Sequence, residues 1–213
     1  MITIIDYNAG NLTSVRRALE YLGLSCRVSA DPEQVLTAER VIFPGVGHAA
    51  SAMQVLRQRG LDEALRTVYT RGTPILGICL GCQIVLSHSD EGDTSCLGLI
   101  DGNCPHFSLN DPTLKIPHMG WNAVLVTRPH FIVKDFRPGD EFYFVHSYYP
   151  QPVDAQHVFA VAEYESFFPA AIGCRNLFAV QFHPEKSGEM GLSLLRNFAT
   201  WDGCSQRERN ASC

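Results

Sequence analysis

Apolar and polar positions fall into blocks along the chain, and the character of the blocks changes near the middle. Residues 2–6 form a short apolar run that ends in the turn Tyr7-Asn8-Ala9-Gly10. Over residues 11–22 the apolar positions Leu12, Val15, Leu19 and Leu22 fall at helical spacing, and Gly23 stops them. Residues 24–28 and 40–43 read as two further strands, the second ended by Pro44-Gly45-Val46-Gly47. One long helix is predicted over 49–69, a buried strand over 74–78, and a helix from Leu80 to 87. Strand–helix alternation of this kind predicts a parallel sheet with helices on both faces. In such α/β folds function collects at the loops beyond the carboxyl ends of the strands.

The second half is richer in strands, expected at 122–127, 141–147, 157–164, 170–174 and 177–182. Arg175-Asn176 joins the last two as a hairpin signal. A closing helix over 187–201 would put Leu194, Leu195, Phe198 and Trp201 on one face. No repeat, low-complexity stretch or linker interrupts this order, so residues 1–203 are expected to form a single domain. The polar residues 204–213 are expected to be a flexible tail.

Composition narrows the classes. A chain of 213 residues can bury a sizeable core. The formal net charge of −5 argues against a nucleic-acid partner, which would call for a basic face. Met1–Asp6 carry no basic segment and no long apolar run, so no secretory leader is expected. No stretch approaches the roughly 18 apolar residues of a membrane helix, so no membrane partner and a cytoplasmic location are expected. There the eight cysteines, at 26, 79, 82, 96, 104, 174, 204 and 213, would be reduced and mostly small core hydrophobes.

One of them stands apart. Gly77-Ile78-Cys79-Leu80-Gly81 follows a buried strand and opens a helix, the G-x-nucleophile-x-G arrangement with cysteine in place of serine. A sharp strand-to-helix turn crowds the positions two before and two after the nucleophile, which explains the glycines. The turn exposes the sulfur and sets it at a helix N-terminus, where thiolate is favoured. The rival readings are a structural cysteine and a redox pair, because Cys79 and Cys82 are spaced C-x-x-C. Zinc has less support, since no second C-x-x-C or H-x-x-x-H completes a ligand set. No metal or cofactor is expected.

A cysteine nucleophile needs a base from elsewhere in the chain. Val180-Gln181-Phe182-His183-Pro184-Glu185 supplies one: His183 follows an apolar strand, and Glu185 could accept its imidazole N–H and fix the tautomer. His88, His106, His130 and His157 lack a comparable setting and read as surface or loop residues. His118 and His146 lie in denser motifs and stay candidates for lining the site. Acyl chemistry also needs an oxyanion hole. Gly45 and Gly47 permit the peptide orientations this requires, although Pro44–Gly47 alone reads equally as an ordinary turn.

Together these segments resemble the class I glutamine amidotransferases, with their Cys–His–Glu triad. Within them, Pro44–Gly47, Gly77–Gln83, Ile116–Asn122, Tyr143–Tyr148 and Gln181–Gly188 resemble the glutaminase subunits of imidazole glycerol phosphate synthases. The likeness runs from Ile2 to about Trp201. It implies a flavodoxin-like three-layer sandwich, with a mostly parallel central sheet and an antiparallel extension. It implies that Cys79 attacks the glutamine side-chain amide, that His183 serves the leaving ammonia and then water, and that Glu185 orients His183. Gly45, Val46, Gly47 and Leu80 would shape the oxyanion site. Gln83, Glu91, Ser147 and Tyr148 would hold the amino-acid end of glutamine. The implied partner is a (β/α)8-barrel cyclase subunit that receives the ammonia and makes imidazole glycerol phosphate and an aminoimidazole carboxamide nucleotide in histidine biosynthesis. Gly10, Asn11, Trp121, Tyr143 and Lys186 would face it.

Two positions depart from the family pattern. Cys82 stands where methionine is usual, and His48-Ala49-Ala50 stands where an aromatic is common, which leaves that part of the pocket lining open. A non-catalytic relative, or the same glutaminase serving another synthase such as one for surface-polysaccharide amidation, are the remaining readings.

Overall fold

The structure is a computed structural model and describes residues 1–8 and 10–204. All of the expected tail except Cys204 lies outside them. The chain runs β1 (Ile2–Ile5), α1 (Leu12–Tyr21), β2 (Cys26–Ser29), α2 (Pro32–Leu36), β3 (Arg40–Gly45), α3 (Ala49–Gln58), α4 (Leu61–Arg71), β4 (Ile75–Cys79) and α5 (Leu80–Ile84). Three short strands follow, β5 (His88–Ser89), β6 (Thr94–Ser95) and β7 (Gly102–Asn103). Then come β8 (His118–Ala123), β9 (Leu125–Val126), β10 (Glu141–His146), β11 (Gln151–Pro152), β12 (Val158–Tyr164), β13 (Ser166–Cys174), β14 (Leu177–Val180) and α6 (Gly188–Thr200).

The main sheet has the order β2-β1-β3-β4-β14-β13-β12-β9. The five strands β2, β1, β3, β4 and β14 pair in parallel, and β13, β12 and β9 extend the sheet antiparallel. This is the expected α/β architecture. A parallel sheet is covered on both faces, so its strands read as continuous apolar runs, and every residue of β4 is buried. Successive residues pack to opposite sides. Ile4, Ile42, Leu76 and Ile78 join one core with α1 and α6, while Ile5, Phe43 and Ile75 join the other with α3 and α4. The last helix buries Leu194, Leu195 and Phe198 as its spacing predicted, and Trp201, expected in it, is buried just past its end. Arg40 at the start of β3 donates to the carbonyls of Phe198 and Trp201 and ties down its end.

Several boundaries differ from the sequence reading. The long helix over 49–69 is two helices, because Gly60 takes φ 68°, where an L side chain is strained. The helix from Leu80 ends at Ile84 rather than 87, and α2, capped by the Asp31 side chain with Pro32 in its first turn, was not foreseen. The strand expected at 122–127 begins four residues earlier, as β8, and pairs with β10 in a separate antiparallel ribbon with Tyr143 opposite Trp121. His130, read as surface or loop, is buried and stacks on Phe178 at 4.4 Å.

Candidate active site

Four loops converge beyond the carboxyl ends of β1, β3, β4 and β14, where a doubly wound sheet places its ligands. The sharpest is the elbow between β4 and α5. Cys79 sits at φ 54° and ψ −109°, a conformation that costs a non-glycine residue on the order of 1–3 kcal/mol and persists only when its surroundings impose it. They do. A Cβ on Gly81 would stand 1.9 Å from the Phe43 carbonyl oxygen, and one on Gly77 would stand 2.9 Å from Ala179 Cβ. The flanking glycines are therefore required by β3 and β14, neighbours distant in sequence, as well as by the turn itself.

The loop after β3 lies against the elbow. A Cβ on Gly45 would fall 1.9 Å from the Tyr7 hydroxyl oxygen, and Gly47 takes φ 105°. Tyr7 is buried, and its hydroxyl has no hydrogen-bond partner. Burial first, and then the Cys79 charge, push its proton affinity far above the usual phenol range. Gly10 packs on this loop from outside, its missing Cβ 3.0 Å from a Val46 methyl.

His183 enters after β14, buried, on a 3-10 turn that continues through Lys186. The ribbon clamps it: His183 N–H donates to the Tyr143 carbonyl at 2.9 Å, and the Ser187 hydroxyl donates to the His183 carbonyl while accepting from Tyr143 N–H. Its Nδ1 is 2.8 Å from Glu185 Oε1, and both side chains are almost wholly buried. Asn11 Nδ2 donates to the same carboxylate oxygen. Asn11 would ordinarily cap α1, but its side chain makes no cap bond and serves Glu185 instead. His183 Nε2 makes no hydrogen bond of normal geometry. Burial disfavours the imidazolium, yet the Cys79 thiolate and the Glu185 carboxylate outweigh it and raise the ring's proton affinity. The charged forms of Cys79 and His183 would thus stabilise one another, and the Glu185 contact at Nδ1 fixes the orientation of the ring.

Beside the sulfur lies a cavity of about 260 Å³ lined by Val46, Gly47, Cys79, Leu80, Gln83, Glu91, Pro117, Val145, His146, Ser147 and Tyr148. It gathers the residues expected to hold glutamine and three of the four expected at the oxyanion site, with Gly45 just behind. Glu91 accepts from Ala49 N–H at 2.6 Å, so one carboxylate oxygen is anchored to the start of α3. The unusual His48 does not line the cavity: its ring caps α3 and crowds Gly92. Cys82 is fully buried under the elbow, and it forms no disulfide, nor do Cys26, Cys79, Cys96, Cys104 and Cys174. Burial pushes the Cys82 thiol well above the usual range, which suits a core residue better than a redox partner.

Trp121 and Tyr143 meet edge to face at 6.2 Å, and Lys186 Nζ lies 5.6 Å from the Tyr143 ring centre. Met119 and Trp121 are more than half exposed on β8, and Ile116 just before it is more than a third exposed. These form an apolar surface beside the histidine turn. Sequence reasoning missed Tyr7 and Gln181. For Gln181 a signal existed: it alternates with His183 along an extended segment, so both point the same way, and its Nε2 lies 3.7 Å from the Cys79 sulfur.

Residues 3–201 match the class-I glutamine amidotransferase family, and the chain belongs to it. A crystal structure of a glutamine amidotransferase superposes with a TM-score of 0.74 over 95% of this chain and 100% of that one at 16% identity, a likeness of fold. Within the family the resemblance is to one subunit. The chain is 49% identical to imidazole glycerol phosphate synthase subunit HisH of Nitratidesulfovibrio vulgaris strain Miyazaki F, over 98% of this chain and 100% of the relative. It is 51% identical to the subunit of the same name from strain DP4, over 93% and 95%.

Proposed function

We propose that this chain is the glutaminase subunit of an imidazole glycerol phosphate synthase, hydrolysing glutamine through Cys79, His183 and Glu185 and delivering ammonia to a (β/α)8-barrel cyclase. The observation that carries it is the strained Cys79 elbow beside the buried His183–Glu185 pair, opening on a cavity with Glu91 and Gln83 at glutamine's polar end. The thiolate adds to the side-chain carbonyl carbon of glutamine. Charge gathers on the amide oxygen, where Val46, Gly47 and Leu80 N–H groups are the available donors. His183 gives its proton to the departing nitrogen as the C–N bond breaks, which leaves a thioester and ammonia. The same ring then takes a proton from water as water adds to the thioester, and loss of the sulfur yields glutamate and restores the thiolate–imidazolium pair. Glu91 and the side-chain oxygen of Gln83, whose amide hydrogens are engaged elsewhere, take the α-ammonium, and Ser147 and Tyr148 hold the carboxylate end.

Ammonia in bulk water is mostly protonated and loses its nucleophilicity, so a shielded route to the cyclase is needed. The apolar surface of Trp121 and Tyr143 with Lys186, together with the Gly10-Asn11 loop, supports docking there. Gly10 touches Val46 and Asn11 touches Glu185, so a partner pressing on that loop reaches both the oxyanion loop and the base. Docking is expected to complete the oxyanion hole. Among the described residues no helix is long and apolar enough to cross a membrane.

The test is glutamate release from glutamine by wild type and Cys79→Ala, with and without a barrel cyclase. Strong release by the wild-type complex and a loss on the order of 10,000-fold or more in the variant are expected. No release under any condition overturns the reading. Stimulation only by a different synthase would move the partner and keep the chemistry.

A further inference from the structure

Behind the glutamine cavity runs a chain of hydrogen bonds that none of the roles above uses. His146 lines the cavity, and its Nδ1 lies 2.8 Å from the Tyr148 carbonyl oxygen. A carbonyl only accepts, so Nδ1 carries the proton, and in a neutral ring Nε2 is then an acceptor. His118 Nδ1 lies 3.0 Å from that Nε2 and must donate to it. His118 Nε2 is left as an acceptor, 3.3 Å from Asn122 Nδ2, which also donates to the Glu163 carbonyl at 2.8 Å. One carbonyl group thus dictates both tautomers. Burial keeps both rings neutral, lowering the pKa of His118 to about 4 and that of His146 to about 3.

The Tyr148 carbonyl accepts a second hydrogen bond, from Gln83 Nε2 at 2.9 Å, and the same amide group lies 3.1 Å from Gln181 Oε1. Gln181 in turn reaches the Cys79 sulfur. The connection therefore runs from Asn122, beside the exposed Trp121 on β8, to the cavity and the nucleophile.

We propose that His118 and His146 are positioning residues, whose Nδ1–H tautomers hold the Tyr148 carbonyl and through it Gln83 in the place that glutamine needs, and tie that place to β8. The proposal rests on the glutaminase reading. Its rival is that two histidines merely fill a pocket among Phe107, Phe144 and Phe168. In that case apolar rings of similar size would serve as well, since exchanging paired polar groups for apolar ones can be neutral.

Imidazole ¹⁵N spectra of the labelled wild-type chain at pH 7 are expected to show both rings neutral with the proton on Nδ1. An Nε2–H tautomer or a charged ring at either position overturns the proposal, whatever the glutamine turnover. In the cyclase complex, His118→Phe and His146→Phe are expected to raise KM for glutamine about tenfold, the worth of one lost neutral hydrogen bond, with kcat within about twofold. His146→Asn, whose amide nitrogen can occupy the Nδ1 position, is expected to recover most of the KM. Unchanged KM in the Phe variants, or no recovery by Asn, overturns the proposal. If a Phe variant fails to fold by thermal melting, His146→Gln supplies the same contrast with Asn, because its amide sits at the Nε2 position and leaves the Tyr148 carbonyl without its donor. Absence of glutamate release by the wild-type complex would instead defeat the glutaminase reading, and the spectra would still report the tautomers.

Discussion

The elbow that carries Cys79 and the turn that carries His183 meet at one site but are held in different ways. At the elbow the main chain is packed without clearance: Gly81 lies against the Phe43 carbonyl and Gly77 against Ala179 of β14, with no space for a methyl group between them. At the histidine turn the contacts are hydrogen bonds gathered from three places: the Asn11 side chain before α1, the Tyr143 main chain on β10 and the Ser187 hydroxyl before α6. The first kind of support is stiff and belongs to the core. The second is a set of hydrogen bonds, and two of its members, Asn11 and Tyr143, reach the surface. A site built this way fixes the proposed nucleophile and leaves the proposed base open to adjustment by whatever binds near Asn11 and Tyr143.

The contrast can be broken most severely at Gly81. Gly81→Ala should cost about 3 kcal/mol of stability, because the Phe43 carbonyl has nowhere to go, and should abolish glutaminase activity with it; urea unfolding and glutamate release measure the two. A Gly81→Ala protein of normal stability would mean that the elbow is not held as described. Next in size is Glu185→Ala, expected to lower kcat about a hundredfold or more while moving the melting midpoint by less than about 3 °C. The carboxylate is buried with one oxygen unpartnered, so its removal relieves as well as removes. A large drop in melting temperature would place the histidine turn in the same structural class as the elbow. The smallest effect per residue concerns the ribbon. His118 and His146 stay neutral in the fold down to about pH 4 and about pH 3, whereas an unfolded histidine takes up its proton near 6.5. Between those values the unfolded chain binds the extra protons, so their contribution is complete above pH 6.5 and is lost as pH falls. Urea unfolding at pH 7 and pH 4.5 should show an acid loss of up to about 2 kcal/mol per ring that is absent from the His118→Phe/His146→Phe variant. Equal losses in both proteins would show that these rings do not carry the acid sensitivity.

What was legible in the sequence follows the same division. The elbow and the His-Pro-Glu turn are short local patterns, and the parallel strands announce themselves as buried apolar runs, so Cys79, His183, Glu185 and the α/β architecture could be read directly. The ribbon could not. Along β8 the burial is inverted: His118 is inside, and Met119 and Trp121 are outside. A rule that sends apolar residues inward therefore misplaces the strand, and it started at 118 instead of 122. Asn11 was read as facing a partner. Its bond to Glu185 spans nearly the whole chain, and no local pattern encodes that. The break at Gly60 and the Asp31-Pro32 start of α2 were visible as residues, and were outweighed by continuous helical spacing in one case and by brevity in the other.

The pairing of β14 with β4 sets an order of events during synthesis. Leu177 lies opposite Ile75, so everything between them must be made before the strand that leads to His183 can enter the sheet. A ribosome-bound chain that ends before β14 has the cysteine but neither the base nor the neighbour that closes against Gly77. Until then β4 is an unfinished sheet edge. On the proposed function the chemistry waits for completion of the chain, so a product truncated before β14 would be inactive as a glutaminase, however much of the elbow it carried.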